Sequence, residues 1–552
     1  MGSIRYELLH AHKHEFLLTA TIASSLFALT TTPSFIPLVI HISILLFYAP
    51  QLFNGRSPVN RRSLFLWLAL SVTKSVHWLK PSLNALSTPG ASILVLFAHG
   101  ASTSLIVLIT VFVHARSRVF WAHPLFFPAL FATAWWGTSQ LSPVGYLTSW
   151  SPVTGFLGYN WLVPVFGSPI RDWLVAAWAI VISAALETYY MGEESPDESP
   201  LLEVPTHGTM DRSRGTLALA MLLVALTVPS YVSPDLPRPI SSNGSTPLAI
   251  GCALPHAKTN YRELTLSDYI HESTLMNAAQ IILWPEGAVS FADETEREAA
   301  FAVIRKNITS EYVGVSFEES YWDDGRALKR TGLALVGKSN VTQLLYYKRN
   351  LVPIAESYRL ESSSDPPALV TIDVKMRQWV GKPKIRPISV TGSICLDFAM
   401  PDPFTSLQSR PMLILAPART WDVSIGAAMW EQVKQRALEL DSMVLWCDGG
   451  EGGVSGVAAP AQGMNEIIQI GEGSWVRTVG LEYPPDPRPT LNMEWSGWTL
   501  IIMWVLGGFS RKLIFRVIRG FEILPSPVRL QQAFSRWRRG NGANELNLLM
   551  DD

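Results

Sequence analysis

Three residues of reactive type fall at the ends of short apolar runs: Glu286 after Ala279–Trp284, Lys348 closing Thr342–Lys348, and Cys395 closing Ile388–Cys395. A rigid sheet can aim residues so placed at one common point. A thiol becomes a nucleophile when a base takes its proton, and a carboxylate can be that base. A nearby ammonium lowers the thiol pKa and stabilises the oxyanion formed when the sulfur attacks a carbonyl. Singly, each residue has a plainer reading. A buried cysteine is more often a small core residue, and a glutamate after Trp-Pro can be a helix cap. The combination of contexts carries the weight.

The elements that must position these residues lie in the polar block 233–495. Ala279–Trp284 reads as a buried strand ending in Pro285-Glu286-Gly287, followed by helical spacing over Glu294–Lys306 and a strand at Tyr312–Phe317. Gly332–Lys338 and Thr342–Lys348 read as a hairpin. Ile388–Cys395, Met412–Ala416 and Met443–Cys447 read as strands, with a helix over Ile425–Leu440. Mixed strands and helices of these lengths indicate a layered α/β domain. Three cysteines are too few for a disulfide framework. Cys252 and Cys447 read as core residues, with a disulfide between them open as the alternative in an oxidising lumen.

The remaining sequence is poor in charge. Of 552 residues 48% are hydrophobic and 16% charged, with 20 Trp and 23 Phe, against roughly 25% charged in ordinary soluble domains. This excludes a wholly soluble globular chain. A formal net charge of −1 gives no electrostatic basis for nucleic-acid binding. Phe16–Asn54 holds no charge, and Thr30–Pro33 divides it into two segments of spanning length, read as a helical hairpin. No small-residue cleavage site follows the first, against a removed signal peptide. Further spans are read at Ser63–Leu79, with Lys74 snorkelling to the interface, and at Ala91–Val113. Others run from Val119 to about Gly137, over Trp173–Tyr189 and Thr216–Val232, and from Trp498 to Phe509 or toward Phe515, making about eight. The aromatic stretch holding Tyr146, Trp150, Tyr159 and Trp161 suits a loop at the bilayer interface. The expected organisation is a membrane domain over 1–232, a catalytic domain over 233–495, a last span over 496–517 and a basic tail over 518–552.

Loop charges give an orientation. With the N-terminus in the cytoplasm, Arg5, Lys13, Arg56, Arg61, Arg62, Arg116, Arg118, Arg212, Arg214 and the tail from Arg511 all fall inside. Both termini are then cytoplasmic, and the polar block lies in the lumen or outside the cell. The sequons at Asn243, Asn307 and Asn340 fall in that block, in keeping with a secretory-pathway setting. The tail, with Arg511, Lys512, Arg516 and Arg519 among apolar residues, reads as a basic amphipathic segment on an anionic leaflet or as a solvated positive-inside tail. His10, His12 and His14 read as a polar terminus rather than a metal site, and Glu193–Pro205 as a flexible cytoplasmic loop. Neither metal nor cofactor is called for.

The segments WPEGA (284–288), YYKRNLVPIAE (346–356) and GSICLDFAMPD (392–402) resemble, in order, the three signature segments of the nitrilase, or carbon-nitrogen hydrolase, superfamily. The multi-span scaffold with the catalytic block between its last two spans resembles the apolipoprotein N-acyltransferase branch. The resemblance implies a multi-span α-helical membrane domain carrying an αββα sandwich. It implies Glu286 as general base, Lys348 as the cation for the tetrahedral intermediate and Cys395 as nucleophile. It also implies Glu356 as a second supporting glutamate, Asp397 as a supporting residue and Trp421 as a gate for substrate.

The chain departs from the family pattern in four places: Gly287 follows WPE, Leu396-Asp397 follow the nucleophile, IAESY lacks a glycine before its glutamate, and PARTWD forms the gate loop. All four would line the approach of the acceptor. The resemblance implies transfer of an acyl chain from a membrane phospholipid to an amine, such as a lipoprotein-like N-terminus, through a thioester. Two other readings use the same residues: a membrane-tethered amidase or nitrilase with water as acceptor, and an inactive ligand-binding scaffold.

Overall fold

The computed structural model describes residues 12–53, 60–83, 85, 88–116, 124–191, 207–232, 239–240, 242–256, 264–323, 326–339, 341–376, 385–461, 464–495 and 497–507. His10, Glu193–Pro205, the Asn340 sequon and the tail 518–552 lie outside them. The chain divides into two compact units, Met1–Met503 and Trp504–Asp552. The helical part and the sandwich below both belong to the first.

Among the described residues seven long helices precede the sheets: α1 (Lys13–Ala28), α2 (Phe35–Leu52), α3 (Arg61–Leu83), α4 (Pro89–Arg116), α5 (Phe126–Leu141), α6 (Pro169–Met191) and α7 (His207–Ala225). They fall on the expected apolar segments, and four of the eight expected spans meet the length and apolarity of a crossing. Among the described residues four regions are long and apolar enough to cross a bilayer: Phe35–Leu52, Pro89–Arg116, Pro169–Tyr189 and Gly215–Val232. Helices α1 and α5 have 16 residues each, which at about 1.5 Å per residue is short of a ~30 Å hydrocarbon core. Helix α3 has 23 residues but carries Arg61, Arg62, Lys74 and Lys80. The helix Trp498–Gly507 is shorter still.

Two further expectations change. Lys74 does not snorkel: it is buried, and its Nζ donates to the Ser149 carbonyl at 3.3 Å. Tyr146, Trp150 and Tyr159 are buried too, and only Trp161 is appreciably exposed. Trp150 packs between His41 and Trp135, and Tyr146 N–H donates to Ala399 of the sandwich at 2.8 Å. The aromatic stretch is therefore an internal joint between the helices and the sandwich. Its rings gain more from dry packing there than from an interfacial position.

Thirteen strands follow among the described residues: β1 (Ser245–Cys252), β2 (Ile281–Leu283), β3 (Val289–Phe291), β4 (Tyr312–Asp323), β5 (Arg326–Gly337), β6 (Thr342–Tyr347), β7 (Val370–Lys375), β8 (Ile385–Gly392), β9 (Leu413–Ala418), β10 (Met443–Asp448), β11 (Val454–Ala458), β12 (Glu466–Ile470) and β13 (Trp475–Glu482). One sheet runs β13-β1-β2-β4-β5-β6 with β3 on β4, and the other β12-β11-β10-β9-β8-β7. Each has a parallel centre, β1-β2-β4 in one and β8-β9-β10 in the other, with antiparallel flanks.

Side-chain alternation sorts the strands into layers. In β2 and β5, Ile281, Leu283, Leu333 and Leu335 enter the core shared by both sheets, while Ile282, Ala334 and Val336 join the cluster of Tyr269, Phe301 and Ile304. Tyr269 lies on α8 (Leu266–Leu275), and Phe301 and Ile304 on α9 (Glu294–Asn307), which thus cover the outer face of the first sheet. Helix α10 (Val423–Leu440) covers the second through Ile425, Met429, Val433 and Ala437. The result is helix, sheet, sheet, helix. The opposite face of α10 docks on the helical part: Arg436 donates to Ser168 and pairs with Glu439, and Gln435 donates to the Val153 carbonyl. Between the sheets Cys252 and Cys447 form a disulfide, resolving their two readings in favour of the pair, while Cys395 is the free thiol.

Candidate active site

Glu286, Lys348 and Cys395 stand at the C-terminal ends of β2, β6 and β8, and the fold brings them together. Strand β2 ends because Pro285 has no N–H to continue the ladder and Gly287 turns the chain with φ +63°. Trp284 anchors the turn, its indole donating to Ser273 at 2.9 Å and stacking on Tyr269. Glu286 N–H donates to the Ala418 carbonyl at 3.3 Å, which joins this residue to the end of β9 in the other sheet. Gly449 lies behind Pro285, where a Cβ would come within 2.5 Å of the ring.

Lys348 is fixed by its N–H to the Thr331 carbonyl, and its Nζ donates to Glu286 Oε1 at 2.7 Å and to both oxygens of Glu356 at 2.9 and 2.8 Å. Glu356 is oriented in turn by Val352 N–H at 2.9 Å. Cys395 opens a 3-10 turn, Cys395–Ala399, with φ +44°, a conformation that strains an ordinary residue. Asp397 holds that turn. Its carboxylate accepts from Tyr346 OH at 2.7 Å, Asn350 N–H at 2.9 Å, Asn350 Nδ2 at 2.7 Å and Ile394 N–H at 3.2 Å. It thereby ties the thiol's turn to the strand that ends in Lys348.

Burial pushes the Glu286 carboxyl up, and Glu356 adds to that push against the pull of Lys348. Burial opposes charge on Lys348, but Glu286, Cys395 and Glu356 outweigh it and hold the ammonium charged. The Cys395 thiol is raised by burial and then by Glu286, with Lys348 and the Arg419 N–H favouring the thiolate. At rest the site thus holds a neutral thiol beside a proton-hungry carboxylate and a permanent cation. Glu286 Oε2 is buried without a hydrogen-bond partner among the described residues, and the Cys395 thiol acts on the same carboxyl. Proton transfer from sulfur to Glu286 leaves the total charge of the site unchanged, so it need not wait on solvent. The arrangement suits covalent acyl chemistry.

Trp421 lies in the loop after β9, half-buried, with its indole donating to the Pro81 carbonyl of α3 at 2.9 Å. The loop is held from below by Asp448, which accepts from Thr420 N–H at 2.8 Å, Thr420 Oγ1 at 2.7 Å and Gly450 N–H at 3.2 Å. Asp448, Asn350 and Tyr346 were not singled out from sequence. An acid closing an apolar strand and opening the glycine-rich run DGGEGG was the available signal for Asp448.

Among the described residues no cluster of His, Cys, Asp and Glu is arranged to hold a metal ion. No protein-family model matches the chain, and no curated protein matches it. Solved structures do. An amidase from Nesterenkonia sp. aligns at 17% identity and TM-score 0.33, covering 46% of this chain and 95% of its own. A mutant of that amidase, bearing the acetamide moiety of fluoroacetamide on its active-site cysteine, aligns at 18% identity and TM-score 0.32, covering 44% and 92%. Another mutant, described as an amidase from the nitrilase superfamily, aligns at 17% and 0.32, covering 44% and 94%.

Proposed function

We propose that this chain is a membrane-anchored acyltransferase of the carbon-nitrogen hydrolase type, similar to apolipoprotein N-acyltransferase, which moves an acyl chain from a phospholipid to an amine. The observation that carries the reading is the Glu286–Lys348 contact of 2.7 Å beside a free cysteine on a strained turn, with the adjoining Trp421 loop bonded to helix α3. A soluble-substrate enzyme has no need to attach that loop to a bundle of long apolar helices.

In the first half-reaction Glu286 takes the Cys395 proton, the sulfur bonds to the ester carbonyl carbon, and Lys348 stabilises the oxyanion. The C–O bond then breaks, and Glu286 returns the proton to the departing lysophospholipid alkoxide. In the second, an amine attacks the thioester, Glu286 takes its proton, the amide forms and the C–S bond breaks. That proton restores the thiol. Ester and amine become amide and alcohol, with no net change in the enzyme.

The long apolar helices anchor the chain in the bilayer, with the sandwich on its luminal or outer face. The Cys252–Cys447 disulfide supports that placement, since such bonds persist in oxidising compartments. Incubation of the purified membrane protein with acyl-labelled phospholipid tests the reading. Hydroxylamine-sensitive label on Cys395, discharged by an added amine, is expected. Label that persists in Cys395→Ala, or discharge to free fatty acid at the same rate with and without amine, would overturn it.

A further inference from the structure

Helix α3 carries a buried lysine that the acyl-transfer chemistry leaves unused. Lys74 is 1% exposed, and its only hydrogen bond among the described residues is the one to the Ser149 carbonyl. Among those residues no carboxylate pairs with it. One turn further along the same helix face, the Trp78 ring lies 5.8 Å from the ammonium, and its indole N–H is buried without a hydrogen-bond partner. His99, on the adjoining helix, is already bonded to Thr148 and offers no negative charge. An ammonium with unused N–H bonds and an unpaired indole N–H make a site rich in donors and short of acceptors. Inside an apolar bundle, such an ionisable group with unused donors marks a functional site.

Its position relates it to the thiol. Ser149 N–H donates to the Tyr146 carbonyl, so the two residues are one turn apart, and Tyr146 N–H donates to Ala399, the last residue of the turn that begins with Cys395. Further along α3, Trp78 belongs to the same apolar cluster as Cys395, and Pro81 accepts from Trp421. The stretch from Lys74 to Pro81 therefore adjoins the nucleophile's surroundings through two separate connections. A glycerophospholipid carries an anionic phosphodiester and an acyl ester joined by a short glycerol backbone, which is the pair of groups such a layout would receive.

We propose that Lys74, assisted by the Trp78 indole N–H, binds the phosphodiester of the phospholipid acyl donor. The inference rests on the acyl-transfer reading and adds to it the group by which the donor is recognised. Lys74 is a binding residue for the donor's phosphate, and its contribution depends on that phosphate.

The test compares acylation of Cys395 in the full chain from labelled phosphatidylcholine and from diacylglycerol with the same acyl chains, each in non-ionic detergent micelles. Lys74→Met is expected to lower the phosphatidylcholine-to-diacylglycerol ratio of kcat/KM by at least ~10-fold, the size of one charge-assisted hydrogen bond. Trp78→Phe should lower the ratio less, and Lys74→Arg should restore most of it. An equal fall with both donors, or no fall with either, would show a structural role and overturn the proposal. Saturable binding of inorganic phosphate that Lys74→Met abolishes, with the donor ratio unchanged, would assign the cluster to a free anion and overturn it too. Wild-type protein labelled equally by both donors defeats this inference alone, whereas wild-type protein labelled by neither defeats the acyl-transfer reading beneath it.

Discussion

The Lys348 ammonium is held by two carboxylates at once, 2.7 Å from Glu286 and 2.8 Å from Glu356. Lys348 and Glu286 are buried, so one cation offsets two acids in a poorly solvated place. Removing it exposes the acids to each other. Lys348→Met is expected to abolish thioester formation and to destabilise the fold by roughly 3–5 kcal/mol, the cost of breaking a buried pair by removing one partner. Chemical denaturation of the sandwich signal checks the second part. Wild-type stability in that variant would mean that the two acids are neutral or solvated in the resting protein.

The same geometry sets a pH dependence. Glu286 acts as a base only when deprotonated, and burial has pushed its carboxyl up, so its base form is lost at a higher pH than an ordinary carboxylate's as the medium is acidified. The acid limb of kcat/KM for Cys395 acylation should therefore lie well above the usual carboxylate range. Glu356 contributes to the upward push, and its neutralisation in Glu356→Gln should move that limb to lower pH while lowering the rate. A limb that stays in place, or moves up, would remove Glu286 as the titrating base.

The sandwich and the three converging residues were legible because strands with a period of two and reactive residues at their ends leave a strong local pattern. Glu286, Lys348 and Cys395 each follow such a run. Lys74 was misread for the opposite reason. A single lysine near the end of an apolar segment looks alike whether it reaches outward or inward, and what turns it inward is the Ser149 carbonyl, 75 residues away. Asp397 was named for its place after the nucleophile, but its partners Tyr346 and Asn350 are 51 and 47 residues distant and leave no local trace. Of the eight expected spans, four are long and apolar enough to cross a bilayer among the described residues, since apolar composition alone marks burial of any kind, in lipid or against protein.

The Cys252–Cys447 bond joins β1 of one sheet to β10 of the other, 195 residues apart in sequence, directly behind the turn that carries Glu286. Closing so long a loop should contribute about 2–5 kcal/mol. Reduction after mild unfolding, or Cys252→Ala with Cys447→Ala, is expected to lower the unfolding midpoint accordingly, and mass spectrometry of alkylated protein should find one reactive thiol before reduction and three after it. Three reactive thiols in the oxidised, denatured protein would mean that the bond does not form.

Trp421 couples the sandwich to helix α3 through one hydrogen bond, from its indole to the Pro81 carbonyl. Phenylalanine keeps an aromatic ring but cannot donate, so Trp421→Phe removes that bond at a cost of about 1 kcal/mol. The loop's base remains held by Asp448 through Thr420, so the sandwich itself should keep its stability while the loop tip gains freedom. Faster amide hydrogen exchange is expected over 419–422, with little change in β9 or β10. If the loop gates a lipid donor, acylation by long-chain phospholipid should fall several-fold in this variant while a short soluble ester reacts nearly as before. An equal loss with both donors would place Trp421 in the architecture of the thiol's pocket and not at the lipid's entrance.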